Sequence, residues 1–227
     1  MAKIQESKPK SSKTFERIFG NVQMGKLFSK VQSTVIRSGV ELEKILRQVV
    51  PEDMHTTLQE LADESISTSE KPALQVVFNP SRPDPDNPSK SIQADLLIVD
   101  NHSRRFLLVE VKEGYVFDTK KADGELSSLK SITSWLAQEF AYKTHYYLCS
   151  FYQDDLHQIV SGTKGRFTTD HVISGRGLCE KLGISFETIL HIREQDQISN
   201  RAYFLQELLA IPEIKSEIVE LLNEQND

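Results

Sequence analysis

Two apolar runs joined by a short polar link constrain this chain more than any other feature. Residues 93–100 read QADLLIVD, residues 106–112 read FLLVEVK, and the segment DNHSRR lies between the apolar stretches. Pairing them as an antiparallel hairpin centred between His102 and Ser103 sets Leu97 opposite Leu108 and Asp95 opposite Glu110. Side chains alternate faces along a strand, so Glu110 and Lys112 share a face and Val111 points away. Cβ atoms of directly opposed residues lie only about 4.5–5.5 Å apart. Two carboxylates and one ammonium are therefore expected to converge at one end of the hairpin.

Two acids side by side on a sheet repel, and that arrangement is unfavourable without compensation. A divalent cation supplies it. Mg²⁺ is a hard ion that takes oxygen ligands, commonly one or two carboxylates together with substrate phosphates. A lysine beside it can orient an attacking water or help to deprotonate it. The pattern points to metal-assisted phosphodiester hydrolysis. The competing reading is a solvated edge strand whose charges discourage aggregation. The runs LLIV and FLLV argue against it, because buried surroundings make an uncompensated carboxylate costly.

The spacing D-x14-E-V-K, formed by Asp95, Glu110, Val111 and Lys112, resembles the PD-(D/E)xK nuclease superfamily, which includes most type II restriction endonucleases. The resemblance implies a fold of the α/β (mixed α+β) class, with a central mixed sheet flanked by helices. It also implies Mg²⁺, for which Mn²⁺ can substitute, bound by Asp95, Glu110 and the backbone carbonyl of Val111. Lys112 would position or activate water. Family members often carry another acid on a helix before the hairpin, in a Gly-x-x-x-Glu arrangement that here falls on Gly39 and Glu43. Glu41 lies two residues earlier, about 200° around a helix, so the two cannot face one metal. Glu43 is the expected third acid. Ala94 stands where the family often has proline. The motif spans residues 39–112, and the order helix, strand, hairpin, helix, strand extends the likeness to about residue 152. Resemblance to the type II enzymes implies a homodimer on a palindromic duplex site, since a two-fold protein matches a two-fold sequence.

Periodicity and breakers organise the rest. Val31, Val35, Leu42, Ile45, Leu46 and Val49 recur at helical spacing over 29–49, with Gly39 interrupting the pattern and Pro51 closing it. Residues 54–66 read as a short helix and 73–78 as a strand. The segment NPSRPDPDNPSKS reads as an extended loop. A polar stretch over 113–125 precedes a helix expected from about 126 to 142, with Trp135 in the core. THYYLCSFY reads as a central strand, because both of its faces are apolar or aromatic. A helix between two strands predicts a crossover in a mixed sheet. Residues 154–182 read as loop-rich, and 200–223 as helical with a break at Pro212. Residues 1–13 are expected to be a flexible basic arm. Residues 14–227 are expected to be one nuclease domain, with its core over about 29–152 and DNA contacts beyond.

A net charge of −6 does not advertise a nucleic-acid binder, but its distribution is uneven. Residues 1–50 hold ten Lys/Arg and four Asp/Glu, a net of +6, leaving −12 for the remainder. The glycine-bearing segment SGTKGRFTTDHVISGRGLCEKLGI presents Lys164, Arg166, Arg176 and Lys181, which are candidate DNA contacts. Ser174 is positioned to cap a short helix there. Asp118, Lys120 and Lys121 form a second charged cluster, readable as a DNA contact or as a solvated turn. No apolar stretch approaches the roughly 20 residues a spanning helix needs, and no leader-like apolar region opens the sequence. Cys149 and Cys179 lack metal spacing and fit a reducing cytoplasm. The six histidines are scattered and no nucleophile elbow is present.

The expected activity is therefore Mg²⁺-dependent cutting of double-stranded DNA at a specific sequence. A structure-selective repair, recombination or mobile-element nuclease is the alternative within the same chemistry. A non-catalytic DNA-binding protein is the alternative outside it, and it has no need of the acid–acid–lysine set.

Overall fold

The two apolar runs pair in the register read from the sequence: Leu97 lies opposite Leu108 and Leu96 opposite Val109. This ladder belongs to a chain of helices and strands seen in a computed structural model that describes residues 2–9, 11–64, 72–85 and 87–224. The elements run α1 (Lys13–Phe19), α2 (Val22–Val49), α3 (Leu58–Glu64), β1 (Leu74–Phe78), β2 (Ser81–Pro83) and β3 (Ser91–Gln93). After them come β4 (Leu96–Asp100), β5 (Arg105–Lys112), α4 (Thr119–Glu139), β6 (Lys143–Ser150), α5 (Leu156–Gly162) and β7 (Val172–Ser174). The chain finishes with α6 (Gly175–Leu182), α7 (Phe186–Leu209) and α8 (Pro212–Glu224). Two compact units result: Met1–Lys44 with Glu187–Asp227, and Ile45–Phe186.

The second unit holds a five-stranded sheet in the order β1-β4-β5-β6-β7. β1, β4 and β5 are antiparallel neighbours, whereas β6 and β7 run parallel to β5. This is the mixed α/β sheet with flanking helices expected from the sequence, and α4 is the crossover that parallel pairing of β5 and β6 requires. One face carries Val77, Leu97, Val99, Phe106, Leu108 and Leu148, which cluster with Leu129, Ile132 and Leu136 of α4. Leu97, Phe106, Leu108 and Ile132 are fully buried. Each such side chain contributes about 1.5–3 kcal/mol through burial. Trp135 packs at the margin of this core, as expected.

Several expectations need correction. α2 runs without interruption through Gly39, where nothing lies within 4 Å of a built Cβ. A solvent-facing glycine costs a helix about 0.5–1 kcal/mol but does not break it. The expected helix over 54–66 is a 3₁₀ turn (Glu52–Met54) followed by α3, with residues 65 and 66 outside the described ones. Residues 79–91 are not simply a loop. Ser81 and Arg82 pair with Gln93 and Ile92 in a small hairpin, although residue 86 lies outside the described ones. α4 starts seven residues earlier than its apolar period suggests. Asp118 caps it by accepting from the Lys121 backbone nitrogen at 2.8 Å, and Gly124 sits in open space. Residues 154–182 contain α5, β7 and α6 rather than mainly loop.

The first unit gathers α1, most of α2 and α7, and α8. Within it Ala2 and Ile4 are buried, and the Ile4 backbone nitrogen donates to Asn200 Oδ1 at 2.8 Å. Phe28 stacks on Phe19 and meets Phe204 edge-on. α7 ends ahead of Pro212, which opens α8, so the break read at that proline is present. Among the described residues no helix is long and apolar enough to cross a membrane.

Candidate active site

The apolar layer under α4 ends at the carboxyl end of β5, and there the same face of the sheet turns acidic. β5 alternates as its pleat dictates: Phe106 and Leu108 enter the core, and Glu110 and Lys112 continue their row. Asp95 stands one residue before β4, in the row of Leu97 and Val99. Its Oδ2 accepts a hydrogen bond of 2.7 Å from the Val111 backbone nitrogen. That nitrogen, rather than the carbonyl, is the Val111 atom tied to Asp95. Hairpin geometry thus brings Asp95, Glu110, Val111 and Lys112 together.

Electrostatics at this place are severe. Glu110 is only 8% exposed. Burial, and then the neighbouring Asp95 charge, push its carboxyl up to about 8 from an ordinary 4.5, against the pull of Lys112. Lys112 Nζ donates to Glu110 Oε1. Burial alone would favour the neutral amine, but the charges of Glu110 and Glu125 outweigh it and hold Lys112 above its ordinary value. The ammonium therefore remains charged throughout the neutral range.

Glu125 is the residue that the sequence reading missed. Its Oε1 lies 2.9 Å from Lys112 Nζ. It sits in the second turn of α4, in a stretch whose polar composition and Gly124 conceal a helix. The available signal was Asp118, a good N-cap residue ahead of TKKADGE. Two carboxylates thus hold one lysine while the Asp95 charge bears on Glu110, an excess of acidic groups that suits a divalent cation. Asp95 and Glu110 supply hard oxygen donors, and two carboxylates are enough for Mg²⁺, which keeps other positions for water and phosphate. Among the described residues no three metal-binding side chains close into a cage.

Glu43 and Glu41 both lie on α2, in the first unit, with Glu41 buried and Glu43 half-buried. The basic candidates occupy separate settings in the second unit. Arg166 Nε lies 2.9 Å from Asp123 Oδ1 of α4. Arg176 lies over the Phe186 ring at 4.5 Å, with Nε 3.5 Å from Asp154 Oδ2. Lys181 lies over the Tyr147 ring at 5.7 Å. Lys164 occupies a left-handed turn after α5, with φ of 56°. Ser174 caps α6 as expected, accepting from the Gly177 nitrogen at 3.1 Å. His145 is half-buried near the start of β6, where burial and then Lys143 lower its pKa. Cys149 and Cys179 are buried thiols.

No family model matches the chain. It is 35% identical over 208 residues to the type II restriction enzyme HhaII of Haemophilus parahaemolyticus, a match covering 90% of this chain and 91% of that protein. With that identity across nearly the whole of both proteins, the chain belongs to the type II restriction enzyme family.

Proposed function

We propose that this protein is a Mg²⁺-dependent endodeoxyribonuclease of the PD-(D/E)xK superfamily that cuts double-stranded DNA at a specific sequence. The observation that carries the reading is the convergence of Asp95 and Glu110 beside Lys112 at the end of a buried hairpin. Family membership supports sequence-specific restriction over structure-selective cutting. Asp95, Glu110 and the Val111 carbonyl would hold the metal, with Mn²⁺ able to substitute. Bound there, the cation would stabilise the charge that develops on the phosphate and on the leaving oxygen.

The chain's own groups supply the rest. Lys112, protonated and held by acids, donates hydrogen bonds that orient the attacking water or a phosphate oxygen. Water's oxygen bonds to phosphorus and the bond to one deoxyribose oxygen breaks; the water gives up one proton to solvent, and the departing oxygen takes one from solvent to leave as a hydroxyl. Lys164, Arg166, Arg176 and Lys181 would contact the duplex. The ion pairs of Arg166 and Arg176 are largely exposed, worth about 0–1 kcal/mol, and readily exchanged for phosphate. A homodimer in the cytoplasm acting on a palindromic site completes the reading.

Mapping of products from long duplex DNA tests it. Discrete, reproducible fragments with defined ends are expected in Mg²⁺. Cleavage only at junctions or free ends, or no cleavage in Mg²⁺ or Mn²⁺, would overturn it.

A further inference from the structure

Lys112 has two carboxylate partners rather than one. Glu110 lies on its own strand, and Glu125 reaches it from α4 at 2.9 Å. The two partners face different demands. Glu110 is also a metal ligand in the reading above, so a cation draws on the same oxygens that hold the lysine. Glu125 comes from a different element, α4, and the reading above gives it no metal to hold. Its helix is fixed on the sheet by fully buried Leu129, Ile132 and Leu136. Side-chain exposures of 20% for Glu125 and 23% for Lys112 set this contact apart from a solvated surface pair.

We propose that Glu125 is a positioning residue that holds the Lys112 ammonium in place when a divalent cation occupies Glu110. The inference rests on the reading of Lys112 as the group that orients the attacking water. A lysine on a four-carbon stem has many rotamers, and ordering it costs side-chain entropy. With Glu110 engaged elsewhere, one remaining acid suffices to keep the Nζ at the reacting phosphate. Partners of this kind, one contact removed from the chemistry, typically change rates by about 10- to 100-fold when removed.

The test is single-turnover cleavage of duplex DNA in Mg²⁺ at saturating enzyme, with DNA affinity measured separately in Ca²⁺. It uses Glu125→Ala, Glu125→Gln, Lys112→Ala and the Lys112→Ala/Glu125→Ala double variant. Alanine and glutamine are both good helix formers, so α4 keeps its local propensity. Glu125→Ala is expected to cleave about 10- to 100-fold more slowly, with DNA affinity almost unchanged. Glu125→Gln, which keeps an acceptor oxygen, is expected to lose less. In the Lys112→Ala background the same change is expected to add no more than about twofold, the scatter of independent free energies. A wild-type rate in Glu125→Ala overturns the inference. So does faster cleavage with tighter DNA binding, which would make Glu125 only a repulsive charge. An equal further loss in the Lys112→Ala background overturns it too, while leaving the proposed function standing. Absence of cleavage by the wild-type protein overturns that function and the inference with it.

Discussion

Asp95 and Val111 are joined across the open end of the hairpin, the aspartate Oδ2 accepting a 2.7 Å hydrogen bond from the valine backbone nitrogen. One carboxylate therefore closes the last rung of a sheet and also faces Glu110, whose acidity it weakens. The two roles separate by substitution. Asp95→Asn keeps an acceptor for Val111 and removes the charge that repels Glu110. It is expected to melt, without metal, at or above the wild-type temperature while losing cleavage by at least about a hundredfold, a removed metal ligand costing several kcal/mol. Asp95→Ala leaves the Val111 nitrogen without that partner and is expected to lose about 1–3 kcal/mol of stability. Thermal unfolding beside a cleavage assay checks both. Melting of Asp95→Asn well below wild type would contradict the repulsion argument.

Glu110 sets a pH dependence whose sign is opposite to that of an ordinary surface carboxylate. Its folded-state pKa of about 8 exceeds the ordinary 4.5. Between those values the folded protein holds a proton that the unfolded chain releases, so metal-free stability falls as pH rises through this window. A divalent cation needs the ionised form. Calorimetric Ca²⁺ titration at pH 7, in buffers of different ionisation enthalpy, is expected to show proton release that falls to about a tenth by pH 9. Equal proton release at both values would contradict this account.

Cys149 lies in β6 at 0% exposure, and burial holds its thiol well above the ordinary range. Cys179 is also buried. Neither is expected to react with a thiol reagent in the native protein, and both should react after denaturation. Mass spectrometry of labelled protein gives the count. Rapid native labelling of Cys149 would place β6 away from the centre of the sheet.

Arg166 and Arg176 are each held by an aspartate on the protein surface, Asp123 and Asp154. Replacement of either by alanine is expected to weaken duplex binding, relax site preference, or both. A lost base contact costs about 1–3 kcal/mol, and a lost phosphate contact lowers the salt dependence. Fragment mapping and binding at several salt concentrations distinguish the two. Normal affinity, salt dependence and site choice in both variants would remove this segment from the DNA surface.

The hairpin was legible because it is local. Period-two alternation and a short link fix both the register and the row on which Asp95, Glu110 and Lys112 fall. The mixed character of the sheet was legible too, since a helix between the β5 and β6 segments suggests a crossover. What was not legible depends on signals that compete or on distant partners. Glu125 was hidden because Gly124 and a run of polar residues mask the first turns of α4, and only the Asp118 cap marks its start. The hairpin of β2 and β3 was masked by prolines that suit a loop as well as an edge strand. The packing of Ile4 depends on Asn200, 196 residues away, and no local pattern reports such a contact.

The most direct test of the site is Lys112→Ala, assayed for both DNA binding and Mg²⁺-dependent cleavage, with its fold checked by circular dichroism. The account predicts a folded protein that binds duplex DNA almost as wild type does and cuts it only at a residual rate, at least about a hundredfold below wild type. Cleavage at the wild-type rate, or parallel loss of binding and cleavage in a folded protein, would contradict it.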